Sequence, residues 1–168
     1  EMSAIYKNPK VKAFVSTTHG EGFGLPIFES AYYGLPVAAT DWSGHLDFLY
    51  KTTKQKNGKT KNKHMFSRIS YNLAPIQPEA VWDGVLQKDS MWAFPKQGSY
   101  KMKLREVYKE YKRFKSQANR LQKWILKEFK AENQYTRFND YIKEYITSDN
   151  SAEQLQEWFD ELNVETHE

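Results

Sequence analysis

Between residues 20 and 41 four glycines and two prolines stand where each dictates a backbone event, and this run constrains the fold more than any other part of the chain. Before it lies Lys12-Ala13-Phe14-Val15-Ser16-Thr17, a short β-branched and aromatic stretch that reads as a buried parallel strand. Gly20, Gly22 and Gly24 then form a loop whose backbone can approach a ligand closely, and Pro26 suits the start of a helix because its missing N–H is not needed there. Gly34 and Pro36 stop that helix after about two turns, and Val37 to Thr40 follows as a second strand. The unit is a compact strand–helix–strand. Its helix start leaves N–H groups near Phe23, Gly24 and Leu25 for an anion, and a phosphate is the natural occupant. Glu21 in the loop and Glu29, expected in the first helical turn, are separated by seven residues and are placed to face one crevice at the carboxyl ends of the strands. Each carboxylate only accepts, so each suits a diol. In that first turn Glu29 would equally complement the helix dipole.

The string Glu21, Gly22-Phe23-Gly24-Leu25-Pro26, Glu29 and Gly34-Leu35-Pro36-Val37 resembles the nucleotide-sugar-binding lobe of GT-B glycosyltransferases, in particular the retaining enzymes of glycosyltransferase family 4. Ile5-Tyr6 with Asn8-Pro9 is similar to the segment before the donor strand, and Asp41-Trp42-Ser43-Gly44-His45 to the loop after the second strand. A thinner likeness runs through Trp92-Ala93-Phe94-Pro95, Met102, Leu104-Arg105 and Val107-Tyr108 to about residue 145.

The resemblance implies an α/β fold: a partial Rossmann-like parallel sheet, the C-terminal lobe of a GT-B fold, followed by an α-helical C-terminal extension. Residues 1–98 would form the nucleotide-sugar-binding part and residues 99–168 the C-terminal helices of one partial domain, with the N-terminal acceptor lobe absent. Backbone groups of Gly22, Phe23, Gly24 and Leu25 would hold the donor diphosphate and sugar hydroxyls. Glu21 would be catalytic, touching the transferred sugar, Glu29 would accept from the ribose diol, and His19 is a lesser donor-site candidate beside a purely structural role. No metal and no cofactor are implied, because the UDP-, GDP- or ADP-sugar is a substrate and electrostatic stabilisation of the leaving diphosphate carries the chemistry. In the family a basic pair upstream neutralises that diphosphate, so these residues alone are expected to be inactive. Expected partners are the nucleotide sugar, the missing lobe and an acceptor that is a polysaccharide, lipid, protein or modified DNA. Location follows from the donor, which is made inside cells: cytoplasmic, with a position peripheral to a membrane left open.

At 168 residues with 39% hydrophobic and 15% aromatic side chains, the chain has the composition of one globular domain. Cysteine is absent, which excludes disulfides and thiolate metal sites, and His19, His45, His64 and His167 lack metal-ligand spacing. No apolar run is long enough to span a bilayer.

From Lys51 to Lys63 six lysines and no acid suggest a long exposed loop, either simply solvated or in contact with an anionic acceptor or nucleic acid. Phe66 to Leu73 alternates like one half-buried strand, ended by Pro75 and Pro78, and Glu79 to Phe94 is expected to be irregular or briefly extended, with Trp82 and Trp92 covering a core. A helical stripe runs through Leu104, Val107, Tyr108, Tyr111, Phe114, Leu121, Ile125 and Phe129, with a break at Ser116 to Asn119 as an option. Residues 96–130 carry twelve basic and three acidic side chains, whereas residues 131–168 carry two and ten. Ser151 with Gln154 forms a capping-box signal for a last helix, and the C-terminal helices are candidates for homo-oligomer contacts. The alternative function is a non-catalytic nucleic-acid-binding or scaffold module that uses the lysine segment and the basic helix.

Overall fold

The computed structural model describes residues 2–54 and 58–146. It is a mixed α/β chain built on a small parallel sheet of three strands in the order β1 (Phe14–Ser16), β2 (Val37–Thr40), β5 (Ser67–Ile69). Helix α2 (Leu25–Tyr32) joins the first two, as the glycine and proline placement requires. All four residues of β2 are buried because it is the central strand, paired on both edges. β1 is an edge strand and only half-buried, with Val15 exposed, which corrects the expectation of a fully buried strand. Helix α1 (Met2–Lys7) covers part of that edge through buried Tyr6, whose ring meets Phe14 at 6.2 Å and stacks on Tyr33 at 5.8 Å.

Gly34 takes φ +72°, so its amide closes the end of α2 by donating to Ala31 O at 2.9 Å. Helix α5 (Tyr111–Glu128) completes that end: Lys115 Nζ donates to Gly34 O at 2.6 Å and Gln122 Nε2 to Tyr32 O at 2.8 Å, so a cation and an amide meet the negative end of the dipole. Helix α4 (Gln97–Lys109) packs on β5 and β2. Ile27, Phe48 on α3 (Leu46–Leu49), Ile69, Leu121 and Ile125 form the centre of the core, each almost wholly out of water and each contributing about 1.5–3 kcal/mol of burial.

Elsewhere the fold departs from the sequence expectation. The lysine segment is a two-stranded antiparallel ribbon, β3 (Tyr50–Lys54) with β4 (Thr60–His64), in register Lys51 opposite Lys63. Phe66 to Leu73 is two strands: β5 joins the parallel sheet, and after Ser70 the chain turns into β6 (Tyr71–Pro75), antiparallel to β7 (Met91–Pro95). Residues 79–94 do follow the expectation, irregular after a short 3₁₀ turn at Pro78–Ala80 and briefly extended where β7 begins. Trp82 covers no core, being two-thirds exposed. The basic helical stretch breaks at Glu110 and not at Ser116 to Asn119; Val107 and Phe114 are both buried, so the apolar stripe continues in phase across the junction and periodicity conceals it.

By internal contacts the chain divides into two compact units, residues 1–127 and 128–168. In the second, helix α6 (Ala131–Ile146) is tied to its own approach by Gln134 Nε2 donating to Glu128 O at 2.8 Å and by an Arg137–Glu128 ion pair at 3.1 Å, and Tyr135, Phe138, Tyr141 and Tyr145 are exposed. The Ser151–Gln154 capping signal lies outside the described residues.

Candidate functional site

Gly24 opens α2 in the left-handed region, at φ +83° and ψ +58°, and only glycine fits there comfortably. A Cβ at Gly24 would lie 3.1 Å from His45 Cβ and 3.3 Å from Ile27 Cδ1. Phe28 N–H donates back to Gly24 O at 2.9 Å, so the helix starts as expected and the N–H groups of Gly24 and Leu25 have no protein acceptor among the described residues. These are the donors available to an anion. Phe23 directs its ring onto Phe28 and Phe48, at 5.3 and 5.1 Å, which ties the loop to the core.

A second loop, after β2, fixes the first. Ser43 Oγ accepts from Glu21 N–H at 2.9 Å and donates to Glu21 O at 2.6 Å, while Gly44 N–H donates to the same oxygen at 3.0 Å. The approach is so close that a Cβ on Gly44 would fall 1.8 Å from Gly22 O. Ser43 itself stands at φ +88°, a strained value for a side-chain-bearing residue that the two hydrogen bonds hold in place. His45 follows, fully buried, with Nε2–H donating to Thr40 O at 2.7 Å and Nδ1 left without a partner.

An open cavity of about 610 Å³ lies at the carboxyl ends of β1 and β2, lined among others by His19, Glu21, Gly22, Trp42, Ser43 and Trp92. Its volume is in the range of small-molecule sites. A Cβ at Gly22 would meet nothing within 4 Å, so the backbone there borders open space. His19 is held at the rim from two directions. Its Nδ1–H donates to Ala93 O at 2.9 Å, Ala93 N–H donates back to His19 O at 3.1 Å, and its ring stacks on Trp92 at 5.0 Å and 3°. That tautomer leaves Nε2 as an acceptor when the ring is neutral and a second donor when it is charged.

The cavity thus gathers His19, Glu21 and Gly22, with the Gly24 and Leu25 amides next along the loop. Glu29 does not line it. It lies past the first turn of α2, which corrects the expected position, and on the side of α1: desolvation first, and the Glu29 carboxylate second, raise the Tyr6 hydroxyl above its ordinary pKa. Glu29 and Glu21 accordingly have different surroundings, and Leu25 exposes its side chain to solvent. Trp42 and Ser43 had no individual site role assigned from sequence, and Trp92, expected to cover a core, instead lines this cavity. Asp41 to His45 stood out as a motif, but a serine at positive φ has no sequence signature, and Trp92 reaches His19 only because its neighbour Ala93 on β7 pairs with His19, 74 positions earlier. Among the described residues no cluster of His, Asp and Glu is arranged to hold a metal, and no helix is long and apolar enough to cross a membrane.

No protein-family model matches this chain, and comparison with curated proteins and with solved structures likewise returns no match.

Proposed function

We propose that this chain is the nucleotide-sugar-binding part of a retaining, metal-independent glycosyltransferase of GT-B architecture, with the parallel sheet as part of a Rossmann-like lobe. The observation that carries the reading is the latch of Ser43 and Gly44 on Glu21, which holds the glycine loop so that Glu21 and Gly22 line the cavity and the Gly24 and Leu25 amides follow next along the loop. In this reading the amides donate to the diphosphate at the positive end of α2, and they stabilise it as it leaves the anomeric carbon. Glu21 takes hydroxyls of the transferred sugar, and His19 Nε2 adds a polar contact at the rim. The stacked Trp92 and the neighbouring Trp42 offer flat apolar surface to a sugar or base ring. Glu29 belongs to the reading only if the ribose extends over α2 toward Tyr6.

Calorimetric titration with UDP-, GDP- and ADP-sugars tests this directly. One of them is expected to bind in the micromolar to millimolar range, with a loss of roughly tenfold or more in Glu21→Gln, since a hydrogen bond to a charged group contributes about 1.5–3 kcal/mol. Equal affinity in wild type and Glu21→Gln, or no heat from any donor, would sink the proposal.

A second reading, a module that binds nucleic acid, is favoured by one observation: the β3–β4 ribbon projects Lys51, Lys61 and Lys63 from one antiparallel pair, and a two-stranded ribbon fits a major groove. It requires affinity that falls steeply with salt and is indifferent to Glu21.

A further inference from the structure

Residue 41 separates two cavities: Trp42 and Ser43 line the one described above, while Asp41 lines another of about 450 Å³ between β5, α4 and α5. Three features of this second cavity point to a ligand. Ser67 is 3% exposed, borders the cavity, and its hydroxyl has no partner. A buried hydroxyl left unmatched is costly, and one beside a cavity is matched by what fills it. Arg68, next on the edge strand, touches Asp41 Oδ2 and Tyr50 Oη only at 3.4 Å each, so most of its guanidinium donors remain for an incoming group. Because β5 is an edge strand, the cavity wraps its rim and meets the side chains of both strand faces.

The third feature is the local charge. Glu106 is closed by Lys103 Nζ at 2.8 Å and Arg113 Nη2 at 2.6 Å, which neutralises one of the two carboxylates in the wall. Asp41 accepts from Tyr50 Oη at 2.8 Å and faces Arg68. His64, also in the wall, titrates below its ordinary range: desolvation is the first cause, then Arg68 on β5, with Lys103 on α4 and Lys63 on its own strand adding to it and Asp41 alone opposing. From α5 it meets the neutral Gln117, whose Nε2 donates to His64 O at 3.0 Å, and from β3 the ring of Tyr50 at 6.4 Å. Arg113 also pairs with Glu110, so the cations of the wall all have carboxylate partners, and Arg68 keeps guanidinium donors to spare.

We propose that this cavity binds a small phosphate monoester, its phosphate on Arg68 and His64 and a hydroxyl of its organic part on Ser67. A phosphate matches the arginine fork through two oxygens and keeps a third for His64, whereas a carboxylate would be used up by Arg68 alone. Binding brings a counter-charge to His64, so the imidazole takes up a proton as the site fills. The site is independent of the sugar-nucleotide reading and shares with it only the chain segment from Asp41 to Ser43.

The test is an NMR titration of the full chain with inorganic phosphate and, separately, with glycerol phosphate, following the ring protons of His64 across pH. Saturable binding of both is expected, the ester roughly tenfold tighter, with the His64 titration midpoint moving to higher pH on saturation. Arg68→Gln should weaken both probes about tenfold or more, while Ser67→Ala should weaken the ester and leave inorganic phosphate unchanged. Arg68 is about half exposed, so its replacement leaves the core intact, and an unchanged amide spectrum verifies the fold of both variants. Absence of saturation with either probe, equal affinity in Arg68→Gln, or a His64 midpoint that does not move would overturn the proposal. An ester preference that survives Ser67→Ala would overturn the role of Ser67.

Discussion

Ser43 holds a conformation that costs about 1–3 kcal/mol in return for two hydrogen bonds to Glu21, so the loop geometry depends on single atoms. Ser43→Ala is expected to destabilise the chain by about 1–2 kcal/mol in urea unfolding and to free the Glu21 amide for exchange. Gly24→Ala carries the left-handed penalty and a 3.1 Å approach to His45, for about 1–3 kcal/mol. Gly44→Ala should be worse, because its methyl would enter Gly22 O and rigid backbone has to move. An order of effects in which Gly44→Ala is mildest would contradict the latch. At this scale the sequence was informative where glycine was the answer: Gly24 and Gly34 both take positive φ, as their positions beside a helix start and a helix end imply. It was silent on Ser43 and on the Trp92–His19 stack, which are products of neighbours distant in the chain.

Elements with apolar periodicity were legible, and elements held by other means were not. Helix α2 and strand β2 fall where Pro26, Gly34 and Pro36 put them. The β3–β4 ribbon was hidden because it has almost no apolar face: every residue of β4 is exposed, and lysine and threonine alternate where valine and isoleucine would signal a strand. Its register sets Lys51 directly opposite Lys63, and like charges in that relation are destabilising. Lys51→Glu is therefore expected to stabilise the ribbon by a few tenths of a kcal/mol, seen as slower amide exchange at Thr52 and Asn62. The same substitution should lower any affinity for DNA or RNA at low salt by more than it does at high salt. Faster exchange in Lys51→Glu would contradict the register. The single strand expected from Phe66 to Leu73 fails for a related reason: alternation is the same on both sides of Ser70, and only the change of pairing partner divides β5 from β6.

Across the first unit, α4 and α5 are joined through charge as well as through the core. Glu106 on α4 is held below the ordinary carboxylate range, first by its hydrogen bond to Lys103 and then by Arg113 from the start of α5, against the opposing effect of partial burial. A depressed folded-state pKa means that stability is fully present above the unfolded value near 4.5 and is lost as pH falls through the lower folded value. Glu106→Gln should lower the melting temperature at neutral pH and flatten its decline below pH 4.5, as differential scanning calorimetry would measure. A variant whose acid limb matches wild type would remove the linkage.

The order of glycine, proline and apolar residues from 12 to 40 determined by itself a strand–helix–strand unit with donors at the helix start, because those residues limit backbone angles locally, whatever surrounds them. Which side chains meet around those donors was decided by the tertiary structure. Ser43 on Glu21, Trp92 on His19 and Glu29 beside Tyr6 each join segments whose encounter depends on strand order and helix packing, and no local spacing encodes that encounter.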